Sequence, residues 1–452
     1  MLSLKNKQKT SETVKTERVK TEPFIRITKR DNPNSVYKLF VRLVAIGFSV
    51  LCILIFLSSV SKSTFGEVWG YIGHGAFDAH TNFFKQMFLL LGIGIGLAPA
   101  YKMKFWNIGG QGQVLMGGLL TTTMMIYLGN SANSLIIFCS LLLSVLAGGI
   151  WAMIPAFFKV KINANETLFT LMMNYVAIQL VAFSTHMWNP NAAFSTVNAT
   201  TKAGYLAPIG NNEYGAIVLV VAICMFLMYG YMHYTKHGYE ISVVGESLNT
   251  ARYAGINTKK VILRTVFISG AICGLMGFLY VAGADHTIAT TTSGGYGFTA
   301  IIVAWAAKFN PFTMAIISFA ITLFDLGAGG VSDACAGLNQ YVSQISVGIF
   351  LFFIIGCEFF VNYKINFNSK INEKKDKLCE KLSIKMPKTT KFIKTTSEKI
   401  NHVDEKINVL VDKFHKVISK IFEIIADKIK ELFKKFKKKD KDEVSTENEE
   451  VK

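Results

Sequence analysis

The chain has 452 residues, of which 51% are hydrophobic, and a formal net charge of +18. Several apolar runs reach about 18 residues, long enough to cross roughly 30 Å of hydrocarbon, so composition excludes a single soluble domain. Most of the positive charge lies in the two ends. Cations beside apolar runs are typical of the cytoplasmic face of a membrane, and no folded basic module suggests nucleic-acid binding.

The first predicted element is a disordered, basic cytoplasmic arm over residues 1–36. Residues 37–363 are predicted to form a polytopic, all-α transmembrane domain. Its expected spans cover about 38–60, 86–100, 110–128, 134–157, 167–187, 214–234, 263–284, 296–308, 312–328 and 338–361. The seven cysteines are scattered among the apolar runs, which favours small core residues over metal ligands or disulfides.

Cations fall on one side of these spans. That side carries Lys102, Lys104, Lys159, Lys161, the cations of 236–264, and Lys308. The opposite loops carry only Lys62, Lys85 and Lys202. Because cytoplasmic loops hold the excess of Lys and Arg, we expect a plasma-membrane protein with both termini in the cytoplasm.

Two glycine-rich motifs interrupt the apolar pattern. NIGGQGQ at 107–113 places Asn107, Gln111 and Gln113 beside Gly109, and SGGYGF at 293–298 contains Gly295 and Phe298. Five spans separate the motifs, which predicts two inverted five-helix repeats with broken helices at the membrane midplane, where transporters bind substrate. The same motifs are also compatible with close helix packing that never touches substrate. Asn174, inside the fifth span, belongs to the predicted path because its amide needs a partner there.

The polar segment that starts near Lys236 separates the sixth and seventh spans. Ser247 is a candidate N-cap and Gly255 a candidate stop for a short helix. Leu248, Ala251 and Ala254 recur every third residue, and Glu246, Asn249 and Arg252 share another face. Such a helix either docks on a partner or lies on the bilayer.

Three stretches resemble the permease subunits of bacterial ABC importers for nucleosides and simple sugars: GESLNTARYAGINTKK (245–260), SGAICGLMGF (269–278) and GYGFTAIIVAWAAKFNPF (295–312). The resemblance implies that 246–255 docks on a cytoplasmic ATPase through Glu246, Asn249, Ala251, Arg252 and Gly255. It also implies a second, paralogous permease subunit and an extracellular substrate-binding lipoprotein.

The nucleoside branch of that family includes purine nucleoside and guanosine permeases. In this branch the first motif usually reads NIGxEGQ, and the loop before the fifth span resembles NEVxxTLMxNY. This chain has NIGGQGQ and, at 165–175, NETLFTLMMNY. The resemblance therefore favours nucleosides over ribose or galactose. Gln111 departs from the family, because it stands where the family has glutamate.

No catalytic motif is present. The sequence has no Gly-Lys dipeptide and hence no P-loop, so we expect a non-enzymatic subunit without a cofactor or metal. The resemblance implies that a partner ATPase with two fused cassettes binds the ATP. An ion-coupled transporter is a rival interpretation, and Asp325 is its one candidate acid within a span. A membrane scaffold that recruits partners is another.

Residues 364–440 form a basic extension that the resemblance does not explain. Apolar residues step by three and four from Ile400 to Ile424, which predicts a coiled coil or an amphipathic helix on membrane lipid. Residues 441–452 are acidic and are expected to be disordered.

Overall fold

A computed structural model describes residues 25–30, 35–78, 80–189, 195–196, 202–209, 214–335, 339 and 341–367. The first 24 residues, the predicted extension from 368 to 440 and the acidic tail lie outside the described residues.

The described chain is almost entirely helical, which confirms an all-α polytopic fold. The helices are α1 (Ser35–Ser61), α2 (Phe65–Phe77), α3 (His80–Lys102), α4 (Gly110–Tyr127), α5 (Asn133–Ile162), α6 (Glu166–Trp188), α7 (Gly215–Tyr234), α8 (Lys236–Glu246), α9 (Leu248–Tyr253), α10 (Thr258–Phe278), α11 (Tyr296–Ala306), α12 (Pro311–Ala334) and α13 (Tyr341–Asn362). Four short strands accompany them: β1 (Ile25–Lys29), β2 (Ser195–Thr196), β3 (Thr287–Ile288) and β4 (Tyr363–Phe367). Helix α10 continues as a π-helical segment, Leu279–Asp285.

Eight helices of the described chain are long and apolar enough to cross a membrane. They match eight of the ten predicted spans. The third and eighth predicted spans are also helical, but α4 carries four glycines and two glutamines, and α11 is only 11 residues long. The exact number of crossings and the inverted repeat therefore stay predictions.

Side-chain caps begin the helices that start on the cation-rich side. The capping residues of α6, α8, α9, α10 and α12 are Asn165, Thr235, Ser247, Asn257 and Asn310. Each side-chain oxygen accepts a hydrogen bond from a backbone N–H in the first turn, where a helix leaves donors unpaired. The cap predicted at Ser247 is confirmed, and Gly255 has the predicted left-handed backbone with a φ of 74°.

The larger of two compact units, residues 43–356, contains most of the fold. Helices α3 and α10 form its centre, with 72% and 78% of their apolar stretches buried, whereas only 22% of α6 is buried. Glycines let the central helices touch through their backbones: Gly274 on α10 contacts both Gly117 of α4 and Gly148 of α5.

The smaller unit contains residues 25–42 and 357–367 of the described chain. Strand β1 pairs antiparallel with β4, from Ile25 opposite Phe367 to Lys29 opposite Tyr363. Arg42 and Glu358 form an ion pair at 2.6 Å. The start of α1 and the end of α13 therefore lie next to each other in this unit.

Candidate translocation path and outer cavity

Buried amides hold the turn between α3 and α4. Asn107 is fully buried, and its Oδ1 accepts hydrogen bonds from the backbone N–H of Gly109 at 3.1 Å and from Gln113 Nε2 at 3.0 Å. Its Nδ2 lies 3.5 Å from Ser269 Oγ on α10. Polar groups in an apolar interior are costly unless they are paired, and these amides satisfy one another.

Helix α6 supplies the other half of this amide cluster. Asn174 accepts a hydrogen bond from the N–H of Gly112 at 2.8 Å and donates one to the carbonyl of Ile108 at 2.9 Å. Thr170 Oγ1 accepts from the N–H of Ile108 at 3.1 Å. The first turn of α4, which has no cap from Gly109 itself, thus receives side-chain partners from a distant helix.

The second motif also leads into a helix, and two of its glycines have a left-handed backbone. Gly294 and Gly295 precede α11 with φ values of 54° and 76°, in the left-handed region that favours glycine. No described atom lies within 4 Å of a Cβ built at Gly295. Glycine at this position is therefore explained by the left-handed backbone of the turn and not by a close contact.

The two motifs meet at Gly297. A Cβ placed there would lie 2.7 Å from the backbone nitrogen of Gln111, so only glycine allows the starts of α4 and α11 to touch. An 11-residue helix spans roughly 16 Å, about half of the hydrocarbon thickness. Helix α11 alone is therefore too short to cross the hydrocarbon, and its start meets the start of α4.

A polar cavity of about 820 Å³ opens above the start of α11, between α2, α3, α11, α12 and α13. We call it the outer cavity. Its volume lies within the usual range of small-molecule sites, roughly 300–1,000 Å³. The polar side chains that line it are Asn82, Gln86, Tyr296, Thr299, Ser332, Asp325, Asp333, Ser343 and Gln344.

Tyr296 links three helices at the bottom of the outer cavity. Its hydroxyl lies 2.5 Å from Gln86 Oε1 on α3 and 3.2 Å from Asp325 Oδ2 on α12. One hydroxyl proton cannot serve two acceptors, but turning the Gln86 amide lets its Nε2 donate to the Tyr296 oxygen while Tyr296 donates to Asp325. Ser343 on α13 also hydrogen-bonds to Asp325.

The outer cavity is acidic. Among the described residues that line it, Asp325 and Asp333 carry charge and there is no Lys, Arg or His. The neighbouring cation Lys85 is held elsewhere by Asp285, at 2.8 Å. The cavity can therefore accept hydrogen bonds from a neutral solute and would repel an anion.

Comparison with known proteins identifies the protein family of this chain. A family model described as the permease component of a branched-chain amino acid transport system matches residues 80–355, more than half of the chain. The chain belongs to this permease family.

Named relatives of the permease transport different solutes. It is 27% identical to the glucose ABC transporter permease protein of Haloferax volcanii, over 60% of this chain and 74% of that protein. It is 24% identical to the nucleoside ABC transporter permease protein of Lactococcus lactis, over 71% and 92% of the two chains. It is also 24% identical to the guanosine ABC transporter permease protein of Bacillus subtilis, over 66% and 84%. No solved structure matches.

These matches confirm the predicted family and a multi-pass membrane protein. Permeases of this kind are non-enzymatic membrane components that associate with an ATPase, a substrate-binding protein and another permease. The eight long apolar helices agree with that role.

The permease brings most of its predicted path residues together, but not on a solvent-lined surface. Asn107, Gly109, Gln113 and Asn174 are buried in the amide cluster, whereas Gln111 is half-buried beside Gly297. Phe298 is 44% exposed and does not line the outer cavity.

Of the predicted path residues, Gly295 lines the outer cavity, and sequence reasoning missed the polar residues around it. Tyr296 is an aromatic residue inside the second motif, and Asp325 is predicted only as the candidate acid of an ion-coupled transporter. Gln86 carried a weak signal, as a polar residue at the edge of an apolar run. Their grouping depends on how α3, α11 and α12 pack, which no local pattern reports.

The predicted ATPase-docking segment forms a second candidate site at the other end of α3. It contains two helices, α8 and α9, where the sequence suggested one. Ala251 is buried, but Leu248 and Ala254 of the predicted apolar stripe are exposed. Glu246, Asn249 and Arg252 are exposed, as their shared polar face indicated.

A groove of about 410 Å³ adjoins this segment. Its walls come from the 103–105 turn, from Lys159, and from residues 244–249. Leu248, which lines the groove, is 48% exposed, and Tyr253 at the end of α9 is 93% exposed. The surface therefore offers apolar and charged groups side by side, which is the composition of a protein interface.

Proposed function

We propose that this permease forms the translocation path of an ABC importer for nucleosides. The observation that carries the proposal is the contact between Gln111 and Gly297, where the starts of α4 and α11 meet beneath a polar cavity. Broken helices that converge near the midplane are typical of transporters. The nucleoside assignment draws on the NIGGQGQ and NETLFTLMMNY stretches and on the length of the match to the nucleoside permease of Lactococcus lactis.

The remaining parts of the proposed importer lie outside this chain. A cytoplasmic ATPase with two fused cassettes binds ATP and docks on α8 and α9. A paralogous permease completes the path, and an extracellular lipoprotein delivers the nucleoside. Both termini lie in the cytoplasm, which agrees with the cation distribution and with the pairing of β1 and β4.

A simple sugar is the second candidate substrate. The match to the glucose permease of Haloferax volcanii favours it, and the hydroxyl, amide and carboxylate groups of the outer cavity also suit a sugar.

A competition assay separates the two substrates. The permease is reconstituted in proteoliposomes with its ATPase, its second permease and its binding lipoprotein, and ATP-driven uptake of labelled guanosine is measured. We expect unlabelled nucleosides to compete and glucose and ribose not to compete. Labelled glucose or ribose that enters in place of guanosine would contradict the nucleoside assignment.

A further inference from the structure

The outer cavity carries chemistry that the family assignment does not specify. It is built inside this one subunit, by α2, α3, α11, α12 and α13, and it ends on the turn that opens the broken helix α11. A solute in it would contact Tyr296, which hydrogen-bonds to both Gln86 and Asp325.

Asp325 has hydrogen-bonding capacity to spare. A carboxylate offers about four acceptor positions. Tyr296 and Ser343 occupy two of them and hold the carboxylate in place. The remaining capacity fits two adjacent donors on a solute, because a carboxylate accepts a pair of N–H or O–H groups side by side.

The negative charge of the outer cavity determines whether neutral or anionic solutes can bind there. Asp325 and Asp333 line it without a described cation among the lining residues. A phosphate group would bring about two further negative charges into this site at neutral pH. The lining therefore favours neutral solutes rich in hydrogen-bond donors over nucleotides.

We propose that the outer cavity is a binding site for uncharged nucleosides, in which Asp325 accepts two hydrogen bonds from adjacent donors and Tyr296 orients Asp325. This inference rests on the proposed function. The paired donors are either the two ribose hydroxyls or the N–H groups at the edge of a guanine base, and Asp325 recognises both in the same way.

Direct binding tests the site apart from transport. Equilibrium binding of labelled guanosine is measured on the purified permease–ATPase complex without the binding lipoprotein. We expect Asp325→Asn to weaken binding about 10- to 100-fold, since hydrogen bonds to a charged group contribute most. Asp78→Asn is the matched control, because Asp78 is an exposed carboxylate that does not line the outer cavity, and it should change binding less than about twofold.

A second variant, Tyr296→Phe, tests the site independently in case Asp325→Asn misfolds. Tyr296→Phe keeps the ring and removes only the hydroxyl, and we expect it to weaken binding about two- to tenfold because Asp325 loses the hydrogen bond that orients it. Both variants are checked for an unchanged elution profile in detergent.

Two analogues identify the source of the donors. If Asp325 binds the ribose hydroxyls, the wild type binds dideoxyguanosine weakly and Asp325→Asn no longer discriminates against it. If Asp325 binds the guanine edge, adenosine shows that behaviour instead. Guanosine monophosphate should not compete in either case.

Each unfavourable result has a distinct meaning. Guanosine uptake by the full importer without guanosine binding in the outer cavity, or binding that Asp325→Asn leaves unchanged, overturns the site and leaves the proposed function intact. Failure of the full importer to take up any nucleoside overturns the proposed function and the site with it.

Discussion

The buried amide of Asn107 illustrates how a polar residue in a membrane helix can be structural. It pairs with Gln113 and with the backbone of Gly109 in a site that is sealed from solvent. Replacing it by leucine removes these bonds and leaves the Gln113 amide buried without its partner.

We therefore expect Asn107→Leu to destabilise the permease by about 1–3 kcal/mol for each buried group that loses its partner. Thermal unfolding in detergent, followed by the loss of monodisperse protein, measures the effect. Gln111→Leu is the control, because Gln111 is only half-buried, and it should unfold near the wild-type temperature. Equal melting temperatures for all three proteins would show that the amide cluster does not stabilise the fold.

The polar residues of the first motif could be predicted from sequence, but their environment could not. Three amides among glycines signal a break in a membrane helix, whichever way they face. Their partners Asn174 and Ser269 lie 62 and 162 residues away from the groups they bind, so their burial follows from packing alone. The prediction that Asn107 and Gln113 line a path stays untested, and their hydrogen bonds favour a structural role.

At the scale of helices, the contact between α4 and α11 depends on one glycine. The sequence drew attention to Gly295, whereas the close contact is made by Gly297, two residues later. Both lie in the same motif, and only the three-dimensional placement of Gln111 distinguishes them.

Gly297→Ala should disturb this contact. Its Cβ would meet the backbone of Gln111 at 2.7 Å, and such overpacking costs about 1–3 kcal/mol. We expect lower uptake, because the two helix starts must separate. Gly356→Ala is the control, since a Cβ there meets nothing within 4 Å. Normal uptake by both variants would show that the contact between the broken helices does not matter for transport.

The exposed face of α8 and α9 carries the proposed coupling to the ATPase. Glu246→Lys and Arg252→Glu should each lower ATP-driven uptake about tenfold while the protein remains in the membrane, because reversed charges oppose the partner surface. ATP hydrolysis by the complex should continue and be less responsive to substrate. Lys202→Glu, an exposed reversal in a loop on the other side, should transport normally. Unchanged transport in both coupling variants would exclude this docking surface.

Capping and turn residues predicted the ends of α9, but the sequence did not predict α8 or the π-helical segment. Ser247 and Gly255 mark its ends through capping and left-handed geometry, which depend on neighbouring residues only. Helix α8 was not predicted, because its many polar residues interrupt the apolar pattern of a helix. The π-helical segment after α10 was not predicted either, because it differs from an α-helix only in its hydrogen bonds.

For the whole molecule, the pairing of β1 with β4 brings the segment before α1 next to the segment after α13. The cation distribution predicts both ends in the cytoplasm, and this orientation stays a prediction. Apolar runs of about 20 residues make spans easy to predict, but α4 is rich in glycine and carries two glutamines, and α11 has only 11 residues, so neither meets that rule.

Cysteine labelling tests this topology. In a cysteine-free background, Lys29→Cys and Tyr363→Cys should both react with a membrane-impermeant maleimide only after the membrane is opened. Lys202→Cys should react in intact cells. Labelling of position 29 from one side and of 363 from the other would mean an odd number of crossings and would contradict the pairing of β1 with β4.

The central claim is that a separate ATPase drives nucleosides through this permease. The most direct test is guanosine uptake by the reconstituted importer at constant ATP, with and without a protonophore that collapses the proton gradient. The account predicts that uptake continues at an unchanged rate when the gradient is lost and stops when ATP is withheld. Uptake that the protonophore abolishes while ATP remains would contradict it and would favour an ion-coupled transporter that uses Asp325.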